Sequence, residues 1–165
     1  MSDAETPKLV GFAPVEGERA TVLVLGTMPS VRSFELGQYY GHARNAFWDV
    51  AAGLGVPREL EYAERCRRLT KLGVALWDVL QECRREGSLD SAIRSPRPND
   101  FDAFFARHPE LRAIGLNGRK ASALFQRHVT APDGIELVEL PSTSPAHAVR
   151  GKLDVWLAGL RPYLE

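Results

Sequence analysis

Between Leu23 and Val50 the chain reads LVLGTMPSVRSFELGQYYGHARNAFWDV, and the residues able to do chemistry are gathered there. Tyr39, Tyr40, Phe47 and Trp48 put four aromatic rings within ten residues of one another around Asn45. Such rings can form a stacking wall for a planar ligand, or they can be core residues that cover a loop. Asn45 offers an amide oxygen that could hold a water molecule, although an amide is no strong base; it also stands just before an apolar helical pattern, where asparagine is a good N-cap. In GTMPS, Gly26 lets the backbone approach a ligand closely and Pro29 fixes the direction of exit. The second and third glycines of a dinucleotide fingerprint and the GK[ST] of a P-loop are missing, so that loop supports neither NAD nor a nucleoside triphosphate.

A second group lies at Leu140–Ala148, LPSTSPAHA. Ser142, Thr143 and Ser144 are turn formers or neutral donors to phosphate, and His147, Arg150 and Lys152 add local positive charge or merely a solvated helix start. The four histidines form no HxH or HExxH pair, so no metal site is expected. No GxSxG elbow is present, which argues against an α/β-hydrolase. Asp78 could be a general base, a cap or half of an ion pair.

The elements that must position these groups follow from periodicity. TVLVLG (residues 21–26), GVALWDVL (73–80), AIGL (113–116) and IELVEL (135–140) are apolar runs that read as four short strands. Helices are expected from Asn45, over Arg58–Leu69, after a cap at Asp100, over GRKASALFQRH with Ala121, Leu124, Phe125 and His128 inward, and around Leu153, Trp156, Leu157 and Leu160. The stretch QECRREGSLDSAIRSPRPND reads as a connector with at most one short helix, and as the most flexible region. Alternating strands and helices imply a mostly parallel sheet with helices on both faces and ligands at the carboxyl ends of the strands. The connection from Gly26 to Arg44 is about eighteen residues, against roughly two to six for an ordinary strand-to-helix turn, which marks it as functional.

The 165 residues suit one domain, with residues 1–8 expected outside its ordered part. Lysine plus arginine and aspartate plus glutamate stand at 21 each, so any attraction to a polyanion must come from a local patch. Two cysteines without CxxC spacing fit a reducing, cytoplasmic setting and cannot hold a four-cysteine cluster. No apolar run is long enough to cross a bilayer.

Taken together, LGTMPSVRSFELGQYYGHARNAFW, TKLGVALWDVL, AIGLNGRKA and LPSTSPAHA resemble the uracil-DNA glycosylase superfamily, most closely its hypoxanthine-DNA (deoxyinosine) glycosylase branch. Mismatch-specific uracil glycosylases are near relatives. The blocks run in the same order over about Thr21 to Arg150. The resemblance implies a three-layer α/β/α sandwich with a short, mostly parallel four-stranded central sheet. It makes Gly26, Thr27, Met28, Pro29 and Tyr40 base-binding and Asn45, in RNAFW, catalytic. Ser30, Arg44, Ser142, Thr143, Ser144, Pro145, Ala146, His147 and Arg150 fall on the DNA-binding side. Many relatives carry a catalytic asparagine or aspartate where this chain has Met28.

The activity implied is that of a monofunctional DNA glycosylase. It would flip out a deaminated base, hypoxanthine with uracil or xanthine as alternatives, and hydrolyse its N-glycosidic bond in base-excision repair. The resemblance further implies no metal or redox cofactor, no membrane partner, a monomer, and a cytoplasmic enzyme at the nucleoid when acting. Two rivals stand beside it: a catalytically silent DNA- or nucleobase-binding member of the fold, and an unrelated α/β enzyme acting on free nucleotides.

Overall fold

The structure is a computed structural model that describes residues 5–147 and 150–164. In chain order, β1 (Lys8–Val10) and β2 (Val22–Gly26) precede α1 (Val31–Leu36), α2 (Phe47–Gly53) and α3 (Tyr62–Lys71). Then come β3 (Val74–Asp78), β4 (Leu80–Arg84), β5 (Arg94–Pro98), α4 (Phe101–Arg107), β6 (Ala113–Asn117), α5 (Arg119–His128), β7 (Glu136–Leu140) and α6 (Lys152–Leu160).

The central sheet has the order β3-β2-β6-β7 with every neighbouring pair parallel. Each residue of β2, β3 and β6 is buried, which is why these strands are unbroken apolar runs and not alternating ones. β7 is an edge strand, exposed along most of its length with only Leu140 buried. Helices flank the sheet as expected for an α/β/α sandwich, with Phe47, Phe104, Phe125 and Trp156 among the largest fully buried side chains. The free edge of β3 is covered by Val15, which exchanges two backbone hydrogen bonds with Leu76. The register sets Gly26 beside Asp78, Leu25 beside Leu116, and Asn117 beside Leu140, so the carboxyl ends of all four strands meet at one edge.

Several expectations need correction. The stretch 81–100 is no flexible connector: β4 and β5 pair antiparallel there, and β1 joins them in a three-stranded sheet of order β1-β4-β5. β5 reads RSPRP, and two prolines fit a strand only at a sheet edge, which hides it from any hydrophobic pattern. Residues 5–8 belong to the fold, since Thr6 is buried and Lys8 opens β1; residues 1–4 lie outside the described part. The connection behind β2 is not all loop, because α1 occupies its middle. Ser30 caps α1 by accepting from the Ser33 N–H (3.1 Å), and Gly37 ends it in the left-handed conformation. The charged helix starts four residues later than expected, at Tyr62. His128 and Leu153 face solvent, whereas His108 is buried against Glu16 (2.6 Å).

Candidate active site

Where β2 ends, the backbone turns through Thr27, Met28 and Pro29, all buried. Three carbonyls there are taken: Val79 and Leu80 donate to those of Gly26 and Thr27, and the Arg85 guanidinium donates to that of Pro29 at 2.6 Å. The Thr27 and Met28 N–H groups donate to no described residue and are left as free donors. They stand on the wall of a cleft of about 640 Å³, a size suited to a nucleobase and its sugar. Of the residues singled out in the sequence, Gly26, Thr27, Met28, Pro29, Ser30, Tyr40, Asn45 and the run Ser142–His147 line this one cleft. Arg44 and Arg150 do not.

Tyr40 has φ +54, a conformation that side chains other than glycine rarely adopt. Its neighbours over-determine it. The Trp48 indole N–H donates to the carbonyls of Tyr39 (3.2 Å) and Tyr40 (3.1 Å), and the Tyr39 N–H donates to the Tyr62 hydroxyl (2.9 Å). The Tyr40 ring stacks on Phe47 with centroids 4.5 Å apart, so only its other face is left for a ligand. Burial, then the charge of Asp78, pushes the Tyr40 hydroxyl pKa above its ordinary value, keeping the phenol neutral.

Ala46 and not Asn45 stands at the N-cap of α2, but Asn45 secures the helix start. Its Oδ1 accepts from the Phe47 N–H at 2.9 Å, tying down the start of α2. Because that partner is a donor, the oxygen must face it, and Nδ2 points elsewhere with no described partner. Met28, by contrast, is a buried thioether and brings no strong polar group to the place where many relatives carry an amide or carboxylate.

Two residues at strand ends complete the cleft. Asp78 is 4% exposed, and its Oδ2 is buried without a partner. Its Oδ1 would stand 2.7 Å from a Cβ built on Gly26, so only glycine fits beside it. Burial pushes the carboxyl pKa up to about 7, the Asp90 charge adding to the rise and Arg85 opposing it. Asp78 makes no cap or ion pair with the described residues. A folded-state pKa above the unfolded value means stability is fullest below the ordinary carboxyl range and is lost as pH rises towards 7. Asp78→Asn is therefore expected to raise the unfolding free energy near pH 8 by on the order of a few kcal/mol, a gain that vanishes below about pH 4. Urea unfolding at the two pH values checks it.

Asn117 is the clip that sequence reading missed. Its Oδ1 accepts from the Thr143 N–H (2.9 Å), while Nδ2 donates to Thr143 Oγ1 (2.9 Å) and to the Tyr40 hydroxyl (3.3 Å). It thus binds the segment after β7 and the aromatic loop to the end of β6. Gly118, at φ +97, lets Ser142 come within 3.2 Å of where a Cβ would be. A polar residue closing an apolar run, as in AIGLN and VALWD, was the available signal for both Asn117 and Asp78. Asn117→Ala strands the buried Thr143 N–H and is expected to reduce stability by about 1–3 kcal/mol. The loosened segment should also weaken DNA affinity, measured by fluorescence anisotropy.

The hydroxyls of Ser142 and Ser144 accept from the Ser144 and Ala146 N–H groups and so form the turns; their O–H groups remain available as donors. Lys152 corrects an expectation. It is buried and its ammonium donates inward to the His147 carbonyl, so it braces the segment and adds no free charge to the surface. Trp156 braces it too, donating to the Pro141 carbonyl at 2.7 Å. Ala148, the last residue of LPSTSPAHA, lies outside the described residues.

A second depression adjoins the cleft, and Thr143, Ser144, Pro145 and His147 line both. Arg44 and Arg150 stand there, exposed and in no ion pair with a described residue. Asp49 and Asp154 line the same depression, so the two arginines are local cations within a mixed-charge surface. Among the described residues, no three His, Cys, Asp or Glu side chains gather as a metal site, and no helix is long and apolar enough to cross a membrane.

No family model matches the chain. It is 36% identical to a hypoxanthine DNA glycosylase from Methanosarcina acetivorans over 140 residues, 83% of this chain and 87% of that protein. A hypoxanthine DNA glycosylase from Methanosarcina barkeri is 33% identical over 117 residues, 69% of this chain and 73% of its own length. The solution NMR structure of a Methanosarcina acetivorans protein assigned as a uracil DNA glycosylase superposes with a TM-score of 0.79 at 33% identity, covering 95% of this chain and 99% of the other. A parallel sheet whose carboxyl edge gathers Gly26, Tyr40, Asn45 and the Ser142–His147 turn, on a chain so close to these proteins, belongs to the uracil-DNA glycosylase superfamily, in its hypoxanthine-DNA glycosylase branch.

Proposed function

We propose that this protein is a monofunctional DNA glycosylase that hydrolyses the N-glycosidic bond of a deaminated base, hypoxanthine foremost, as the first step of base-excision repair. The observation that carries the reading is one cleft of base size holding free backbone donors, a stacked tyrosine and a fixed asparagine, and opening beside two unpaired arginines.

The chemistry follows from that geometry. A base inside a duplex is out of reach, so it must be extruded, at a cost of about a few kcal/mol that is smallest for a poorly paired base. Arg44, Arg150 and the serine turn hold the backbone while the base enters the cleft. The free face of Tyr40 replaces part of the lost stacking, worth on the order of 1–3 kcal/mol per base. Bond breaking leaves positive charge on the sugar and negative charge on the base. The Thr27 and Met28 N–H groups meet the latter as preorganised donors. Asn45 Oδ1, already oriented by the Phe47 N–H, keeps a second lone pair to hold the attacking water. No lysine lines the cleft among the described residues, which supports hydrolysis over a Schiff-base route with strand elimination. The enzyme acts as a monomer in the cytoplasm on this reading.

The test compares duplexes and single strands bearing one inosine, uracil or xanthine with free deoxyinosine nucleotides, all under enzyme excess. Alkali-labile sites at inosine in DNA, with the free nucleotide untouched, is the expected result. Binding without any cleavage would identify a silent member of the fold. Equal action on the free nucleotide would identify a nucleotide hydrolase.

A further inference from the structure

Among the described residues, Asp78 is the one buried carboxyl in the cleft, and none of them satisfies it. Oδ2 is enclosed without a partner, and Oδ1 lies against Gly26, where a Cβ would meet both it (2.7 Å) and the Tyr40 hydroxyl (3.4 Å). A buried polar group without a partner is destabilising, so its retention points to a partner that arrives with the ligand. A carboxylate would serve a departing base badly, because that base gains negative charge as its bond to the sugar breaks. A neutral carboxyl has one O–H donor and one C=O acceptor side by side. With Oδ2 enclosed, Oδ1 is the atom that can meet a ligand, and its O–H suits the ring carbonyl that hypoxanthine, uracil and xanthine share.

Resting on the glycosylase reading, we infer that Asp78 reads the extruded base as a neutral acid through Oδ1, the oxygen that is not enclosed, whose O–H donates to the base carbonyl. It is a recognition residue that strengthens as charge builds on the base, and it is not a general base. The titratable groups around it allow this: Tyr39 and Tyr40 stay neutral, Asp90 opposes ionisation of Asp78, and Arg85 alone favours it. Arg85 donates through Nε and Nη2 to the carbonyls of Gly87 and Pro29 (2.6 Å each), and its buried Nη1 has no partner among the described residues and makes no hydrogen bond to Asp78. Burial that holds the acid near a pKa of about 7 leaves it largely protonated in mildly acidic solution and ionised in alkali. Base recognition is thereby coupled to pH.

The test uses wild type, Asp78→Asn and Asp78→Ala, each shown to be folded by urea unfolding. Asparagine keeps one donor and one acceptor at every pH, and alanine keeps neither. Single-turnover release of hypoxanthine from an inosine duplex is followed from about pH 6 to about pH 9. In parallel, affinity is measured for a duplex with an uncleavable 2′-fluoro inosine and for the same duplex with adenine. Wild type is expected to slow by on the order of 100-fold across that range. Asp78→Asn should stay within about threefold of wild type at the acid end and remain flat, while Asp78→Ala is slower by on the order of 100-fold throughout. An asparagine variant as slow as the alanine variant, or a wild-type rate that climbs with pH, would overturn the inference and make Asp78 a base. Should wild type cleave no deaminated base, the glycosylase reading falls, and the affinity arm then decides on Asp78. A preference for inosine that survives in Asp78→Asn and disappears in Asp78→Ala upholds the contact; an equal preference in all three refutes it.

Discussion

Asn45→Ala is expected to lower single-turnover release of hypoxanthine from an inosine duplex by on the order of 100- to 1,000-fold, while affinity for the duplex changes by less than about threefold. The split follows from where the residue sits. Asn45 lines the cleft, whereas the two unpaired arginines proposed to hold the backbone stand in the adjoining groove. The substitution also removes the acceptor for the Phe47 N–H, which should reduce stability by about 1 kcal/mol. Asn45→Asp separates the two effects. It keeps the acceptor and hence the helix start, but replaces the Nδ2 donor with an anionic oxygen, so wild-type stability with an intermediate rate is expected. Quench-flow kinetics, anisotropy and urea unfolding on the three proteins make the comparison. Full activity in Asn45→Ala would shift the catalytic role to another residue of the cleft, with Asp78 the next to test.

Gly26→Ala should be nearly as damaging by a different route. A Cβ at that position would lie 2.7 Å from Asp78 Oδ1 and 3.4 Å from the Tyr40 hydroxyl, closer than the carboxyl can tolerate without moving. Both neighbours are packed, so the methyl group either displaces the carboxyl or occupies the floor where the base edge must rest. The expected loss in base release is on the order of 100-fold, with about 1–3 kcal/mol lost in stability from overpacking. Affinity for undamaged duplex should hold, since the groove with Arg44 and Arg150 is untouched. In an Asp78→Ala background the same glycine substitution should add little further loss, because the clash is with the removed carboxyl. Additive losses would place the cause elsewhere.

The parts of this molecule that were legible in the sequence are those governed by continuous burial. β2, β3 and β6 have all their residues buried and so announce themselves as apolar runs. Asp100 before Phe101 was readable as a cap for the same reason that it is one: its carboxylate accepts from the Ala103 N–H. The β1-β4-β5 sheet was not legible, because β5 is an edge strand of arginine, serine and proline, and β4 shows only Leu80 and Cys83 buried. Asn45, Tyr40 and the loop glycine stood out through a dense local sequence. The Asn117 clip did not, since it depends on Thr143 and Tyr40, 26 and 77 residues away in the chain. Lys152 could be read only as a surface cation; that it turns inward depends on the carbonyl of His147 being there to meet it.

The most direct test of the central claim is product analysis on a duplex with a single inosine, under enzyme excess, with free base quantified by liquid chromatography and the strand examined before and after mild alkali. The expected result is one free hypoxanthine for each alkali-labile site, with the strand intact until alkali is added. Absence of free base from inosine, uracil and xanthine duplexes alike, or strand breakage without alkali, would contradict it.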